Sequence, residues 1–258
     1  EEAIENYKQI KEFVKGTIAE NAPIVPLSAN SGVNLDKLIE TIEEHIIAKH
    51  TRDLESTPLM HVARSFDINS PGAKPEELKG GVLGGTLIQG TLRVGDEIEV
   101  SPGYKRELGG KTEWQRITTK IISLFAGGCN VNEVHPGGLV AIGTKLDPSM
   151  TKSDGLTGRM VGRPGHLPRV AHEFSMNVHL LDRVVGSSSD IKVEEIKTNE
   201  PLMLSIGTAT TVGVASSGKG DTVDVVLKIP VCVMKDQRVA ISRRISNKWR
   251  LIGYGIVE

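Results

Sequence analysis

The glycine-rich stretch Lys79–Val100 constrains the fold of this chain more than any other part of its sequence. It reads KGGVLGGTLIQGTLRVGDEIEV, with six glycines placed among apolar residues. Because each interior glycine weakens a helix by about 1 kcal/mol, the stretch predicts short strands separated by bends. The dipeptide Gly95-Asp96 predicts a turn that links two of these strands.

Glycines at this density indicate either a sharply curved backbone or a backbone that another molecule approaches closely. We assign most of them to the corners of a barrel. The edge Lys79–Gly81, which includes Gly80, allows a second interpretation, and so does Gly84. In that interpretation these positions are kept free of side chains so that a ligand can contact the main chain.

Residues 1–50 predict a helix, a short strand and a second helix. Glu1–Lys15 places its apolar residues at helical spacing, and Ala22–Leu27 is an apolar run that predicts the strand. Asn34 is the expected cap of the second helix, which carries one apolar stripe. This order is typical of the end of a parallel α/β sheet, so we expect residues 1–50 to be the tail of a larger domain.

After a charged linker over residues 51–57, the apolar period changes from that of a helix to that of a strand. The predicted strands are Leu59–Ile68, Val82–Gln89, Thr91–Val100, Gln115–Leu124, Leu139–Thr144 and Met160–Val161, then Glu173–Leu181, Pro201–Gly207, Val212–Ala215, Thr222–Ile229, Arg238–Arg244 and Trp249–Val257. Long loops are expected at Asn69–Leu78 and Ser101–Lys111. Short strands punctuated by Gly and Pro predict a mainly β fold of two consecutive antiparallel barrels, over residues 58–168 and 169–258.

Composition narrows the ways in which this chain can bind nucleic acid. Aromatic residues make up 3% of its 258 residues, so stacking on exposed bases is not expected to be the main mode of binding. Residues 1–57 carry six Lys/Arg and eleven Asp/Glu, whereas the remainder carries 25 and 21. The later region is therefore the better candidate for contact with phosphate.

Other sequence features bear on the compartment of the protein. No apolar run approaches the roughly 20 residues that cross a bilayer, and no signal peptide is visible at the first residue. The two cysteines, Cys129 and Cys232, and the seven scattered histidines follow no metal-ligand spacing. We expect a cytoplasmic protein with no membrane contact and no metal site, and a single disulfide stays open as an alternative.

Several motifs resemble those of one protein family. The double-glycine pattern followed by Gly95-Asp96 is similar to the second domain of translational GTPases. Longer segments resemble the gamma subunits of archaeal and eukaryotic initiation factor 2. These segments are residues 63–69 (ARSFDIN), 136–144 (PGGLVAIGT), 180–186 (LLDRVVG), 242–244 (SRR) and 249–255 (WRLIGYG). The resemblance covers essentially the whole chain.

The resemblance implies a carrier that delivers methionylated initiator tRNA to the small ribosomal subunit, with GTP and Mg as cofactors of the complete protein. It implies an alpha subunit docked on the first barrel and a beta subunit on the GTP-binding domain. Leu27-Ser28-Ala29 resembles the last guanine-recognition motif, so Ser28 and Ala29 become candidate nucleotide contacts. The strand that ends at Phe125 matches one that carries a glutamate beside the terminal adenosine in relatives, and Ser123 takes that glutamate's place here.

Motifs that the same family needs for catalysis are missing from these residues. There is no Gly-x-x-x-x-Gly-Lys-Ser/Thr phosphate loop, and Asn247-Lys248 is followed by Trp249 instead of completing a guanine motif. We therefore expect no catalytic residue in this chain, and no tight binding of GTP by the chain alone.

The candidate tRNA-binding residues fall into two groups. The first consists of the glycine edge and the adenosine strand: Lys79, Gly80, Gly81, Gly84, Ser123 and Phe125. The second consists of Arg159, Arg163 and Arg169, which straddle the boundary between the barrels and either contact phosphate or hold the barrels together. Two other functions stay open: a selenocysteine-specific or general elongation factor, and a scaffold that binds protein alone.

Overall fold

The computed structural model describes residues 2–47, 51–109, 111–185, 191–219 and 221–258. The chain divides into two compact units, Glu1–Arg52 and Asp53–Glu258. Across these described ranges, no helix has both the length and the apolar character needed to cross a bilayer.

The first unit is helical. Helix α1 spans Glu2–Val14, and helix α2 spans Leu35–Ile42 and continues as a π-helical turn over Glu43–Ile47. The predicted cap at Asn34 is wrong in its chemistry: this residue adopts a left-handed conformation, and its side chain donates to Pro26 O instead of accepting from the helix.

The predicted strand at Ala22–Leu27 is also wrong. Within the described part of the first unit, the only strand-like pairing is one isolated bridge between Ser28 and Val33. A strand needs a neighbour to bond its backbone groups, and residues 2–47 provide none beyond this bridge. The apolar stripe of α2 is correspondingly exposed, for example at Ile39 and Ile46.

The second unit begins with a closed barrel. Its strands are β1 (Leu59–Phe66), β2 (Val82–Gln89), β4 (Glu97–Leu108), β5 (Lys111–Ala126), β8 (Val140–Thr144) and β9 (Met160–Gly162). They pair in the order β4-β9-β1-β2-β8-β5, and pairing of β5 with β4 closes the barrel. β6 (Cys129–Val131) extends this sheet beside β5, and β3 (Leu92–Arg93) pairs separately with β7 (Glu133–Val134). Alternate residues such as Met60, Val62 and Leu83 fill the interior and are completely buried.

The glycines at the start of this barrel bring its strands close together. A Cβ atom on Gly85 would lie 1.9 Å from the carbonyl oxygen of His61 on β1. The turn predicted at Gly95-Asp96 is present, with Asp96 N donating to Arg93 O. The two strands that it joins pair with other partners and not with each other.

The loop predicted at Ser101–Lys111 is wrong, because β4 and β5 continue through it as a long hairpin. Pro102 and Gly103 do not interrupt the hairpin, because a register shift between Val100 and Tyr104 accommodates them. A Cβ atom on Gly103 would lie 1.8 Å from Gln115 O, so the glycine allows the two strands to stay together.

The predicted loop at Asn69–Leu78 is present and contains one 3-10 turn, Pro75–Glu77. Before β9 the chain forms a short helix α3 (Pro148–Thr151) and a 3-10 turn (Lys152–Asp154).

A second closed barrel follows, which confirms the predicted fold of two consecutive barrels. Its strands are β10 (Val170–Leu180), β11 (Pro201–Ile206), β12 (Ala209–Lys219), β13 (Thr222–Cys232), β14 (Arg238–Ile245) and β15 (Lys248–Val257), in the order β10-β13-β12-β11-β14-β15. Its interior is filled by completely buried side chains such as Met176, Leu202, Leu204 and Ile241.

Apolar side chains join the two barrels. Leu59 and Met160 of the first barrel form one buried cluster with Cys232 of the second. The turn at Gly207 packs so closely on His61 that a Cβ atom there would lie 2.6 Å from the imidazole Cε1. Both cysteines are free thiols in this structure, Cys129 exposed and Cys232 buried, so they are not joined to each other.

Candidate functional site

A depression of about 720 Å³ on the outer face of the first barrel brings several predicted residues together. Lys79 and Gly80 lie at one side of it, before β2, and Ser123 lies on β5. Its other lining residues are Ile68, Leu78, Ile122, Gly143, Thr144, Lys145, Leu146, Asp147 and Pro148. Three predicted tRNA-binding residues from segments far apart in sequence therefore share one surface.

A bulge in β5 shapes the floor of this depression. Ile121 pairs with Thr144 and Ser123 pairs with Gly143, so Ile122 is an extra residue between two paired positions. As a result both Ile122 and Ser123 are exposed on the outer face, although they are adjacent in sequence. A Cβ atom on Gly143 would lie 2.2 Å from Ser123 Oγ, so the serine side chain occupies the space above that glycine.

The walls of the depression are apolar and its rim is charged. Ile68, Leu78 and Ile122 are 51%, 49% and 44% exposed, which is high for large apolar side chains. Two exposed lysines, Lys79 and Lys145, stand at the rim. The rim also carries Asp147, and hydrogen bonds from Ser149 lower the pKa of that carboxyl, so it stays ionised at neutral pH.

Gly84 and Phe125 lie beside the depression. Both pair with Ala141 of β8, so the three residues form one row across β2, β8 and β5. A Cβ atom on Gly84 would lie 3.4 Å from the ring of Phe66, which is an ordinary contact distance. The row places two small residues, Gly84 and Ala141, beside the exposed rings of Phe66 and Phe125.

The glycine edge itself contacts protein. A Cβ atom on Gly80 would lie 1.9 Å from Thr144 O, and one on Gly81 would lie 2.3 Å from Thr151 Oγ1. Neither glycine has a positive φ. Packing within the barrel therefore explains why both residues are glycine. The hypothesis that a ligand contacts bare main chain at this edge stays a prediction.

The three arginines near the barrel junction have different surroundings and do not form one cluster. Arg159 Nε donates to Gly103 O at 2.7 Å, and its guanidinium lies 5.0 Å from the centre of the Trp114 ring. Burial lowers the pKa of Arg159, which remains protonated. In contrast, Arg163 and Arg169 are exposed, and within the described ranges their side chains make no hydrogen bond or ion pair. Arg159 thus contributes to the barrel, and the other two are free to meet a ligand.

The candidate guanine contacts lie in the first unit. Ser28 N donates to Val33 O and Ser28 Oγ donates to Ser31 Oγ, which forms a tight turn. Ala29 is exposed in that turn, and its backbone N–H bonds to none of the described residues. The alanine N–H is therefore available to a ligand. Over the same described part of the chain, no group of three or more His, Cys, Asp or Glu is arranged to hold a metal ion.

Three of the twelve lining residues were predicted from the sequence, and the other nine were not, among them Ile68, Leu78, Ile122 and Lys145. The sequence predicts strands at Ile68 and Ile122 and a loop at Leu78, and none of these patterns indicates a binding surface. The sequence carried no signal that Ile122 and Ser123 share a face, because adjacent residues of a regular strand point to opposite faces and only a bulge changes this. The bulge itself depends on pairing with β8 and is not written in β5.

Comparison with solved structures defines the class of fold. Translation elongation factor SelB from Methanococcus maripaludis, solved with the GTP analogue GppNHp, matches with a TM-score of 0.72 at 20% identity, over 99% of this chain and 55% of that one. A bacterial selenocysteine-specific elongation factor, EF-Sec, matches with a TM-score of 0.73 at 17% identity, over 98% of this chain and 37% of that one. The chain therefore has the two-barrel fold found in these translation factors.

Sequence comparison narrows the class to one family. Translation initiation factor 2 subunit gamma of Methanothermobacter thermautotrophicus is 57% identical over 258 residues, all of this chain and 63% of that protein. The corresponding subunit of Archaeoglobus fulgidus is 58% identical over all of this chain and 60% of that protein. The family described as initiation factor eIF2 gamma, C terminal, matches residues 172–257. Over its whole length the chain is similar to translation initiation factor 2 gamma subunits, and it spans a little over three fifths of the length of these relatives.

Proposed function

We propose that this chain holds the aminoacylated 3′ end of methionylated initiator tRNA in the depression on its first barrel. In a protein of the relatives' full length, it would deliver that tRNA to the small ribosomal subunit. The observation that supports this proposal most is the meeting of Lys79, Gly80 and Ser123 in one surface with apolar walls and a cationic rim.

The chemistry of the depression suits such a ligand. Ile68, Leu78 and Ile122 offer apolar contact to an amino-acid side chain. Lys79 and Lys145 offer charge to the phosphates that precede the terminal nucleoside. The row of Gly84, Ala141 and Phe125 lies beside this surface, and its two small residues would leave room for a planar group against the sheet.

The remaining parts of the proposal rest on the family. GTP and Mg are the cofactors proposed for the full-length protein, with Ser28 and Ala29 near the guanine. The partners proposed are the alpha subunit on the first barrel, the beta subunit on the GTP-binding domain and the small ribosomal subunit, all in the cytoplasm. We keep the boundaries 1–50, 51–57, 58–168 and 169–258 as functional domains. Residues of the proposed linker already bond to the first barrel, since Gly90 N donates to Asp53 O.

Replacement of Ile122 tests the proposed site. In the full-length protein, Ile122→Ala should weaken binding of methionylated initiator tRNA about tenfold, the loss expected for ~1.4 kcal/mol of apolar contact. Ile88→Ala is the matched control, because Ile88 is 40% exposed on the same barrel and lies outside the depression. Equal affinities for the two variants would contradict the proposal. Tighter binding of an elongator than of an initiator tRNA would favour the elongation-factor alternative.

A further inference from the structure

One side chain closes the loop between β1 and β2. The Asn69 Nδ2 donates to Lys79 O at 2.8 Å, and its Oδ1 accepts from Lys79 N at 2.7 Å. Two opposed residues of an antiparallel sheet exchange the same pair of bonds through their backbones. The Asn69 amide therefore takes the place of a strand residue and joins the two ends of the loop.

Asp67 fixes the orientation of that amide. Its Oδ1 accepts from Asn69 N at 2.9 Å and from Asn69 Nδ2 at 2.7 Å. The two Nδ2 protons are thus divided between Asp67 and Lys79 O, and the carbonyl oxygen is left to accept from Lys79 N. A rotated amide would place its oxygen against two other acceptors, so only one orientation satisfies the whole set.

The hydrogen bonds between Asn69 and Lys79 fix the positions of two wall residues of the depression. Ile68 immediately precedes Asn69, and Leu78 immediately precedes Lys79. Each of these wall residues is therefore adjacent in sequence to one of the two residues that are joined by hydrogen bonds. Both line the depression and both are about half exposed, so packing alone does not hold them. The hydrogen bonds of Asn69 are the contacts that keep these two backbones together at the mouth of a long loop.

We infer that Asn69 is a positioning residue, which fixes Ile68 and Leu78 as a ready-made apolar wall for the aminoacyl group of the tRNA. The inference rests on the proposed function of the depression. A wall that is ordered before binding costs no loop entropy when the ligand arrives. A variant in which the wall is no longer ordered therefore binds more weakly, although no direct contact is removed. The effect falls on the aminoacyl group and leaves contacts to the rest of the tRNA unchanged.

The test compares aminoacylated with uncharged initiator tRNA in the full-length protein. Asn69→Ala should reduce the ratio of the two affinities about fivefold, roughly the effect of one net hydrogen bond, while affinity for uncharged tRNA stays the same. Amide hydrogen exchange at Leu78–Gly80 should become faster in the same variant. Asn132→Ala is the matched control, an exposed asparagine of the same barrel whose side chain bonds to none of the described residues.

Asp67→Ala provides a second variant in case Asn69→Ala folds poorly, since it removes only the acceptor that orients the amide. It should shift the affinity ratio in the same direction by a smaller factor. Unchanged hydrogen exchange at Leu78–Gly80 would show that Asn69 does not hold the loop together. Faster exchange with an unchanged ratio of the affinities for aminoacylated and uncharged tRNA would overturn the positioning role. If the unmodified protein binds charged and uncharged tRNA equally, the proposed function fails first, and the exchange measurement still decides whether Asn69 holds the loop.

Discussion

Thr151 fills the space beside Gly81. A Cβ atom at position 81 would lie 2.3 Å from Thr151 Oγ1 and 2.4 Å from its Cγ2. Thr151 is completely buried, and its hydroxyl lies 3.1 Å from both Phe66 O and Pro148 O. Its side chain therefore has little freedom to move away, and Gly81 is required by the packing of α3 against β1 and β2.

Gly81→Ala should consequently lower stability. Forcing a methyl group against a fixed buried threonine costs ~1–3 kcal/mol in typical cores, which thermal unfolding would show as a lower melting temperature. Gly84→Ala is the matched control, because its added methyl would make only ordinary contacts, with the ring of Phe66 at 3.4 Å and with Arg64 Cβ at 3.8 Å. A Gly81→Ala protein with the melting temperature of the parent would show that Thr151 can move aside.

The sequence predicted the two barrels because period-two apolar patterns and glycine-rich turns are local signals. It did not predict that β4 continues over residues 101–108, since Pro102 and Gly103 fit a strand only where Gln115 of β5 pairs with Tyr104. The strand expected at 22–27 failed for the opposite reason. Its local pattern is suitable, but the unit offers no neighbouring strand to pair with it.

The candidate site was predictable only in pieces. Lys79, Gly80 and Ser123 were singled out separately, and the pairing of β2 with β8 and of β8 with β5 brings them together. The apolar walls depend on a bulge and on a side-chain hydrogen bond between positions 69 and 79, neither of which has a sequence period. Pairing across such distances has no local signature in either segment.

Nucleotide binding by this chain alone should be weak. Its 258 residues contain Ser28 and Ala29 but no phosphate loop, so nothing in them would neutralise the charge of a triphosphate with its magnesium ion. Calorimetric titration of the 258-residue chain with GTP should show no tight binding and no hydrolysis. Sub-micromolar affinity would contradict this prediction and would require a phosphate site of another kind.

Stability should depend on pH through His61. Burial lowers the pKa of His61, whose ring lies against Gly207 of the second barrel. Because the unfolded chain then binds the proton more readily, this contribution to stability is complete above the unfolded pKa of about 6.5 and is lost as the pH falls below it. The melting temperature of the parent should therefore fall more steeply between about pH 7 and pH 5.5 than that of His61→Gln. Parallel curves for the two proteins would show that His61 is protonated equally in both states.

Arg163 and Arg169 should contribute to tRNA binding through their positive charges, by contact with phosphate groups. Both are exposed, and within the described ranges neither has a side-chain partner, whereas Arg159 bonds to Gly103 O and stacks on Trp114. Each phosphate contact that is lost should flatten the dependence of log affinity on log salt by roughly 0.7–0.9. We therefore expect the double variant Arg163→Gln/Arg169→Gln of the full-length protein to show a shallower slope at an unchanged melting temperature.

Two further variants separate charge from structure in that experiment. Lys228→Gln removes an exposed cation of β13 that is not a candidate tRNA contact, and it should leave the slope as it is. Arg159→Gln should instead lower the melting temperature, since it loses a hydrogen bond and a cation–π contact worth ~1–2 kcal/mol together. An unchanged salt slope in the double variant would reject phosphate contact by Arg163 and Arg169. A lower melting temperature in the same variant would assign them to the barrel junction alongside Arg159.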